Sequence, residues 1–355
     1  MKRSFHHLLV TGGAGFIGSN FIRYVLTKTD FTGKIVNLDK LTYAGNPLNL
    51  SDIERHFSDR YELVRGDIAD LELVRHLIQT KQIDCVINFA AESHVDRSID
   101  GPLDFIQTNV VGTFTLLEAV RETQESKRPI HFHHVSTDEV FGSLGPDGFF
   151  KESTPYDPKS PYSATKAASD HLVRAWAHTY GLSVTLSYCS NNYGPFHFPE
   201  KLIPLTITRM MEGKPIPIYG DGQNIRDWLY VEDHAEAIWL VITQGRMGES
   251  YNVGGHNERN NLELVRALCY TMASHTQTDP ESYLKLITFV KDRPGHDRRY
   301  AIDPTKIETE LGWKARHSLE EGLDLTVRWY LNNQDWLESV RSGSYRDWVR
   351  HHYTT

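Results

Sequence analysis

Short apolar runs rich in β-branched residues alternate with amphipathic segments through the first half of this 355-residue chain. The apolar runs predict strands, and segments whose apolar residues recur every three or four positions predict helices. Because the two alternate, we expect an α/β fold with a doubly wound parallel sheet. The predicted strands cover residues 7–10, 34–38, 61–65, 85–89, 131–135 and 183–188, and the predicted helices include 19–27, 71–79, 110–123 and 162–180.

The regular alternation ends near Asn191, after which prolines interrupt short elements. A chain of 355 residues exceeds what one hydrophobic core usually supports, so we predict a second, smaller α/β domain that binds substrate. We expect residues 1–190 to form the first domain and residues 191–355 most of the second. Residues 228–253 again have a helix-then-strand pattern, and we expect them to rejoin the first domain's sheet.

Charge and cysteine content exclude several classes of protein. The formal net charge of −8 argues against a nucleic-acid partner, which favours a basic face. No segment approaches the ~18 consecutive apolar residues of a membrane helix, and the apolar run before Thr11 is too short for a signal peptide. Three cysteines without CxxC spacing predict reduced thiols in a cytoplasmic protein rather than disulfides or a zinc site.

A glycine-rich loop follows the first predicted strand and leads into a predicted helix. Its sequence, Gly12-Gly13-Ala14-Gly15-Phe16-Ile17-Gly18, allows a tight turn and close backbone approach to a pyrophosphate at the helix N-terminus. Asp39 ends the second strand 21 residues after Gly18, where a carboxylate accepts hydrogen bonds from a ribose diol and repels a 2′-phosphate. Residues 1–190 are therefore predicted to be a Rossmann-type domain that binds NAD rather than NADP, and the alternative is a glycine turn that binds nothing.

Two other predicted strands end in residues that we expect at the same crevice, because ligands bind at the carboxyl ends of the strands in such sheets. Asp67 and Ile68 follow the third strand, and we expect Asp67 to meet the edge of an adenine. Phe89, Ala90 and Ala91 follow the fourth, and the two alanines allow the backbone close to a cofactor. Each pair taken alone is also typical of an ordinary loop.

Tyr162 and Lys166 are four residues apart and therefore share one face of a predicted helix. A phenol has a pKa near 10 and is a poor base at neutral pH. A neighbouring ammonium group and a positive nicotinamide ring favour the phenolate, which brings the tyrosine toward the working range of a base. The alternative interpretation is a surface Tyr/Lys pair without a function.

The fifth predicted strand runs into Thr137-Asp138-Glu139. Two adjacent carboxyl groups at the end of a strand can act as an acid and a base if their surroundings separate their pKa values. The alternative is a solvated acidic turn or a helix N-cap, since Asp is a good capping residue. The residues alone favour neither interpretation.

The sequence resembles the extended short-chain dehydrogenase/reductase family, and within it the dTDP-glucose 4,6-dehydratases of deoxysugar biosynthesis, from end to end. The glycine loop and the YxxxK pair are shared by the whole superfamily, whereas the Thr-Asp-Glu triplet and the DRPGHDRRY stretch are far more specific. The matching segments are TGGAGFIGSN (11–20), DKLTYAGN (39–46), AAESHVDRSI (90–99), STDEV (136–140), SPYSATKAASDHLVRAW (160–176), SNNYGPFHFPEKLIP (190–204), IRDWLYVEDHA (225–235), NVGGHNE (252–258) and DRPGHDRRYAID (292–303).

The resemblance implies a three-stage reaction of the rhamnose-type pathway. Tyr162 takes the proton of the sugar's C4 hydroxyl while hydride moves from C4 to NAD⁺, with Thr137 bonded to the C4 oxygen and Lys166 anchoring the nicotinamide ribose. The C4 ketone acidifies the C5 proton, so Glu139 removes that proton and Asp138 protonates the departing C6 hydroxyl. Hydride then returns to C6 and a proton to C5, which regenerates NAD⁺ and implies that the cofactor stays tightly bound through the cycle.

The resemblance also implies most of the ligand contacts. The cofactor contacts are Gly12, Gly15, Phe16, Ile17, Gly18, Asp39, Lys40, Leu41, Thr42, Asp67, Ile68, Phe89, Ala90, Ala91, Ser93, Thr108, Tyr162, Lys166 and Asn192. The substrate contacts are Ser93, Thr137, Asn191, Lys201, Leu202, Pro217, Tyr219, Arg226, Asn261, Arg293 and His296. Among these, the Arg226 and Arg293 guanidinium groups suit a diphosphate, and Tyr219 suits stacking on a pyrimidine. No metal site is expected, because ordinary strand histidines explain the 131–134 run, which has no acidic or Cys partner at ligand spacing.

The chain departs from the family pattern at a few positions. Phe141 replaces the usual Tyr, Thr165 the usual Ser and Phe89 the usual Leu, and the loop 142–150 is short. No proposed catalytic group is lost, but the nucleotide base stays open between dTDP and UDP, CDP or GDP. One alternative function is a nucleotide-sugar 4-epimerase or decarboxylase, which shares Tyr162, Lys166 and the glycine loop. Another is a non-catalytic NAD-binding protein, which loss of Tyr162 or Lys166 would mark, and both residues are present. The family also implies a homodimer through the helix that carries Tyr162.

Overall fold

The computed structural model describes residues 2–125, 128–292 and 295–342. Its strands are β1 (His7–Thr11), β2 (Lys34–Asp39), β3 (Tyr61–Arg65), β4 (Cys85–Asn88), β5 (His131–Thr137), β6 (Ser183–Cys189), β7 (Asn191–Tyr193), β8 (Ile216–Tyr219), β9 (Ile225–Tyr230), β10 (Ser250–Val253), β11 (Glu258–Asn260) and β12 (Ile287–Val290). Its α-helices are α1 (Phe16–Lys28), α2 (Ser51–His56), α3 (Leu71–Thr80), α4 (Val95–Asp100), α5 (Pro102–Phe105), α6 (Thr113–Glu125), α7 (Pro161–Tyr180), α8 (Leu202–Glu212), α9 (Val231–Gln244), α10 (Asn261–Thr276), α11 (Glu281–Leu284), α12 (Thr305–Leu311), α13 (Leu319–Asn332) and α14 (Gln334–Ser342). Short 3₁₀ turns cover Pro47–Leu50 and Asp138–Phe141, and a π-helix covers Ile106–Gly112.

Within the described residues, the largest sheet has seven parallel strands in the order β10-β6-β5-β4-β1-β2-β3. Helices cover both faces, and apolar strand residues pack against them on each side. Leu9 and Val86 join the cluster that includes Leu117 of α6, whereas Val10 and Ile87 face the opposite cluster. This architecture confirms the predicted doubly wound α/β fold.

Strand β5 extends two residues beyond the predicted 131–135 segment. Its parallel pairing with β6 continues through Ser136, opposite Tyr188, to Thr137, opposite Cys189. The apolar pattern ends at Val135, but backbone hydrogen bonds to a neighbouring strand stabilise polar residues in a ladder equally well. The extension places the acidic pair that follows Thr137 directly at the carboxyl edge of the sheet.

Residues beyond Asn191 form a second layer beside this edge. Strands β11, β9 and β7 form a small sheet, β12 pairs with β8, and α8, α10 and α13 pack around a separate apolar cluster. Strand β10, in contrast, pairs with β6 in the large sheet. The division into residues 1–190 and 191–355 stays a prediction. Within the described part of the chain, no helix combines the length and apolar character that crossing a membrane requires.

The histidines of β5 are buried and hydrogen-bonded to the hydroxyl groups of β6. His131 lies 2.8 Å from Ser183 Oγ and 3.0 Å from Thr185 Oγ1, and His133 lies 2.9 Å from Thr185 Oγ1 and 3.1 Å from Ser187 Oγ. Burial and, to a smaller extent, the charge of Arg3 lower the pKa of His131 to about 3. The folded protein therefore holds a neutral imidazole here.

Acid is expected to destabilise the fold through these histidines. The unfolded chain protonates His131 near pH 6.5 while the folded chain does not, so each step below that pH favours unfolding. For His131 alone the loss is about 2 kcal/mol between pH 6.5 and pH 5. The free energy of unfolding of the variant His131→Gln, measured with denaturant at several pH values, should decrease less steeply with falling pH than that of the wild type. The exposed His76→Gln is the control, and equal slopes in both variants would contradict the assignment.

Candidate active site

The carboxyl ends of the central strands open onto a cleft of about 490 Å³, and residues beyond Asn191 form its opposite wall. The cleft brings together the predicted catalytic residues and nearly all predicted ligand contacts. Leu41 does not line it, and Arg293 lies outside the described residues. Lining residues from the predicted sets are Gly12, Gly15, Phe16, Ile17, Gly18, Asp39, Lys40, Thr42, Asp67, Ile68, Phe89, Ala90, Ala91, Ser93, Thr108, Thr137, Asp138, Glu139, Tyr162, Lys166, Asn191, Asn192, Lys201, Leu202, Pro217, Tyr219, Arg226, Asn261 and His296.

The glycine loop forms the floor at one end of the cleft. Gly12 has φ +69°, and a Cβ there would lie 2.7 Å from the backbone of Ala90. Helix α1 begins after Gly15, which offers no side-chain cap, and its first turn holds no acidic residue. Its first backbone N–H groups are therefore available to an anion, and the loop fits a dinucleotide pyrophosphate.

Adding one methyl group to this loop should expel the cofactor. A Cβ at Gly18 would lie 2.4 Å from the carbonyl oxygen of Gly12, and neither backbone segment can move without disturbing the turn. We expect Gly18→Ala to destabilise the fold by about 1–3 kcal/mol and to reduce the NAD that copurifies with the protein. Gly145→Ala is the matched control, because a Cβ there meets nothing within 4 Å. Unchanged NAD content in Gly18→Ala would contradict the placement.

Asp39 is held rigidly at the end of β2. Its carboxylate accepts hydrogen bonds from the backbone N–H of Ala14 at 2.9 Å and of Leu41 at 2.8 Å. Burial raises the pKa of Asp39, and both hydrogen bonds oppose that rise. Lys40 forms an ion pair with Asp67 at 2.7 Å, so two predicted contacts fix each other beside it. A fixed carboxylate here suits a ribose diol and repels a 2′-phosphate.

Tyr162 and Lys166 lie in the first turns of α7. The helix begins with Pro161 after a Ser160–Ser163 capping box, which fixes where the two side chains emerge. Lys166 is 3% exposed, and its ammonium group donates to the carbonyl of Val135 at 2.8 Å. Burial lowers the pKa of Lys166, while the charge of Asp170 opposes this effect.

The environment of Tyr162 favours the neutral phenol. Burial raises its pKa well above the usual value, Glu139 and Cys189 raise it further, and a hydrogen bond from Thr137 opposes them. The spacing of Tyr162 and Lys166 predicts that a nearby ammonium group, together with the nicotinamide ring, lowers this pKa. Their positive charges must therefore overcome a protein environment that acts in the opposite direction.

The triplet at the end of β5 places its two carboxyl groups in different surroundings. Thr137 caps the following 3₁₀ turn by accepting from the Glu139 N–H at 3.3 Å, so Asp138 is not the capping residue. Asp138 is 2% exposed, and within the described chain its Oδ2 atom has no hydrogen-bond partner. Burial, then Glu139 and Asp227, raise the pKa of Asp138 well above its usual value. The direction of this shift favours the protonated form of Asp138, beside a less buried Glu139.

The opposite wall carries the predicted substrate contacts. The Arg226 guanidinium lies 4.2 Å above the ring of Tyr300 and donates to the carbonyl of Asp297 at 3.0 Å. Tyr219 is partly exposed, and its ring is perpendicular to that of His296 with centroids 6.2 Å apart. Lys201 reaches the carbonyl of Ser93 across the cleft at 3.2 Å. A buried, oriented cation and an exposed ring thus face the same space.

Several residues that line the cleft were not predicted from the sequence. Most of them lie within the segments that match the family, although no role was predicted for them. The family match of those segments was therefore the signal that could have identified them. They include Tyr43, Glu92, His94, His197, Glu200 and Tyr300, whereas Cys189, which also lines the cleft, directly precedes one of these segments. Phe141, which replaces the Tyr usual in the family, packs in a buried cluster with Phe150 and Tyr188 and does not line the cleft.

Comparison with known proteins places this site in a family. The family model described as GDP-mannose 4,6 dehydratase matches residues 9–326. A curated dTDP-glucose 4,6-dehydratase from Xanthomonas campestris pv. campestris is 56% identical over 95% of this chain and 97% of its own length. A curated protein of the same name from Escherichia coli is 53% identical over 98% of both chains.

Solved structures agree with the sequence relatives. The crystal structure of dTDP-glucose 4,6-dehydratase from Bacillus anthracis in complex with NAD is 46% identical, with a TM-score of 0.84 over 94% of this chain and 99% of that one. The resemblance noted from the sequence motifs is confirmed by these comparisons. The chain therefore belongs to the dTDP-glucose 4,6-dehydratase family of extended short-chain dehydrogenases/reductases.

Proposed function

We propose that this chain converts dTDP-glucose into dTDP-4-keto-6-deoxyglucose and water with NAD as a resident cofactor. The observation that carries the proposal is a single cleft containing two unlike carboxyl groups, Asp138 and Glu139, beside Tyr162 and Lys166. Proteins of this name from other organisms are full-length relatives. A 4-epimerase shares the Tyr/Lys pair but needs no acid and base for elimination across C5 and C6.

The first stage uses the residues around α7. NAD, when bound, would accept hydride from C4 and return it to C6. Tyr162 receives the proton of the C4 hydroxyl, and Thr137, whose hydroxyl lies at the end of β5, orients the C4 oxygen. Lys166 supplies the positive charge that opposes the effect of burial on Tyr162. A hydrogen bond to the Val135 carbonyl fixes the position of this buried ammonium group.

The elimination uses the two carboxyl groups in separate roles. Asp138 is buried and stays protonated, so it can donate a proton to the departing C6 hydroxyl. The Oδ2 atom of Asp138 has no hydrogen-bond partner within the described residues, so it is available to contact the C6 hydroxyl. Glu139 is the base for the C5 proton, which the C4 ketone has acidified, and a proton returns to C5 when hydride reaches C6. Their different burial, together with the charge of Asp227, separates the acid from the base.

The nucleotide side of the cleft supports a diphosphate. Arg226 is held by two backbone carbonyls, of Ile225 and Asp297, so its charge is oriented toward the cleft before substrate arrives. Arg293 and Asn191 complete the proposed substrate contacts, together with Tyr219 against the pyrimidine. A thymine base is favoured over uracil, cytosine or guanine by the names of the relatives.

Incubating the purified protein with dTDP-glucose tests the proposal directly. We expect the alkali-induced absorbance of a 4-keto-6-deoxy sugar to develop without added NAD⁺, and UDP-glucose to react more slowly. No turnover of dTDP-glucose by a protein that carries NAD would overturn the proposed function. Equal turnover of UDP-glucose would retain the reaction and remove the preference for thymine.

We infer that the protein is a homodimer through α4, α5, α7 and the π-helix. Exposed apolar side chains gather on this face, with Leu103 72% exposed, accompanied by Ile99, Ile106, Phe114 and Tyr180. Contiguous exposed apolar residues of this kind are typical of an interface. Leu103→Glu should therefore yield monomers in sedimentation velocity. Met247→Glu, elsewhere on the surface, is the control.

We also infer a cytoplasmic location. The three cysteines, Cys85, Cys189 and Cys269, are buried free thiols, as is usual in a reducing compartment. Cell fractionation followed by immunodetection tests this inference, and recovery of the protein outside the cytoplasm would overturn it.

A further inference from the structure

Asp170 is a buried carboxylate one helical turn beyond Lys166 on α7. It is 0% exposed, and the reaction described above gives it no role. Its Oδ2 atom accepts hydrogen bonds from Ser136 Oγ at 2.8 Å and from Tyr156 O–H at 3.1 Å. Ser136 directly precedes the Thr-Asp-Glu triplet, so one carboxylate connects the helix of the Tyr/Lys pair to the strand of the acidic pair.

The other oxygen of Asp170 faces an imidazole whose tautomer follows from its neighbours. Asn88 accepts from Thr11 Oγ1 at 2.7 Å, so its amide nitrogen points at His134 Nδ1, 3.2 Å away. A donor at Nδ1 places the proton of the neutral ring on Nε2. That Nε2 lies 3.4 Å from Asp170 Oδ1 and 3.4 Å from Lys166 Nζ. Since an N–H cannot accept from an ammonium group, His134 in this tautomer offers the lysine no acceptor. Asp170 Oδ1, beside the same Nε2, makes no hydrogen bond within the described residues.

We propose that Asp170 is the buried counter-charge of Lys166, a positioning residue that keeps the lysine an ammonium group beside Tyr162. This role of Asp170 rests on the proposed function, because the positive charge of Lys166 favours the Tyr162 phenolate that the proposed reaction uses. An isolated ammonium ion at 3% exposure is costly, and a nearby carboxylate offsets the lost hydration. The carboxylate is in turn held by hydrogen bonds from Ser136 and Tyr156 to its Oδ2 atom.

The charged and titratable groups around the pair come from four segments. His134 faces it from β5, Arg174 from α7, and Tyr156 from the loop before that helix. Tyr188 and Cys189 face it from β6, with Tyr188 O–H 2.5 Å from Tyr156 O–H and 2.9 Å from the Arg174 guanidinium. Burial raises the pKa of Asp170 to about 6, even though Lys166, Ser136 and Tyr156 oppose that rise. Asp170 is thus ionised at neutral pH.

The isosteric variant Asp170→Asn tests the proposal through the pH dependence of kcat. Activity should rise as Tyr162 and Asp170 lose their protons, because a protonated Asp170 leaves Lys166 without its counter-charge, and it should fall as Lys166 loses its own proton. Asp170 raises the pKa of Lys166, so its removal should move the alkaline limb to lower pH by about 1 unit. Activity near the original alkaline limb should drop about tenfold. Asp233→Asn, another buried aspartate, which bonds His317 far from the cleft, should leave the limb in place.

Tyr156→Phe provides a second test if Asp170→Asn does not fold. It removes one hydrogen bond to the carboxylate, so the pKa of Asp170 rises and the acid limb of kcat should move to higher pH. A wild-type protein that turns over dTDP-glucose, with unmoved limbs in either folded variant, would overturn the role of Asp170 alone. A wild-type protein without turnover at any pH would instead overturn the proposed function. A uniform loss of activity without a shift would mean that Asp170 is merely structural.

Discussion

Replacing Tyr162 by Phe is expected to lower the turnover of dTDP-glucose by about 10³-fold, within the range that a positioned base contributes. The phenol is buried at the cleft floor, between Thr137 and Lys166, and Phe retains its volume while removing the only atom that exchanges a proton. Because C4 oxidation comes first, no later step can proceed in the variant. Product formation and reduction of bound cofactor should therefore fall together when both are followed by absorbance.

The control for this variant is Tyr270→Phe, which removes the same hydroxyl from an exposed position on α10. It should retain full activity. Tyr162→Phe should also keep its thermal stability, because the ring still packs against Phe105. Residual activity above about one tenth of wild type in the folded, NAD-loaded variant would show that another group accepts the C4 proton.

Replacing Glu139 by Gln is expected to separate oxidation from elimination. Without the base at C5, formation of the 4-keto-6-deoxy sugar should fall by about 10²–10⁴-fold, whereas C4 oxidation continues. Glu139 also raises the pKa of the neighbouring Asp138, so its neutralisation makes Asp138 less firmly protonated and weakens the acid as well. Single-turnover absorbance should show cofactor reduction without product.

Glu62→Gln is the matched control, since Glu62 is a β3 surface carboxylate paired with Lys81. It should behave as wild type. In deuterated water, wild-type product should carry deuterium at C5, and the Glu139→Gln variant should not exchange that position. Normal product formation by Glu139→Gln would exclude Glu139 as the base and return the role to another residue of the cleft.

The repeating pattern of apolar residues determined the central fold. Parallel strands buried on both faces are continuous apolar runs, so β1 to β6 were located within one or two residues of their observed bounds. Errors occurred where tertiary hydrogen bonds extend an element past its apolar pattern. Strand β5 continues through Ser136 and Thr137 because β6 lies beside it, and no local signal in those two polar residues indicates a strand.

The chemistry of the site divides in a similar way. Local spacing sufficed for the glycine loop, for Asp39 and for the shared helical face of Tyr162 and Lys166, because each depends on residues close together in the chain. The acidic pair was ambiguous from its residues, since adjacent aspartate and glutamate look alike until their burial is known. Only the tertiary structure buries Asp138 and brings Asp227 close to it, which raises its pKa and favours it as the proposed acid.

The surroundings of the catalytic lysine depend still more on the fold. Thr11, Asn88, His134 and Asp170 lie on β1, β4, β5 and α7, and they meet only because the sheet order places those strands side by side with α7 packed against them. Burial and hydrogen-bond partners decide whether a carboxylate is an acid, a base or a counter-charge, and both come from residues distant in sequence. The sequence by itself determined which reactive groups the protein has and the sheet that carries them. The tertiary structure decided the burial and the hydrogen-bond partners of each group, because these come from residues distant in the chain.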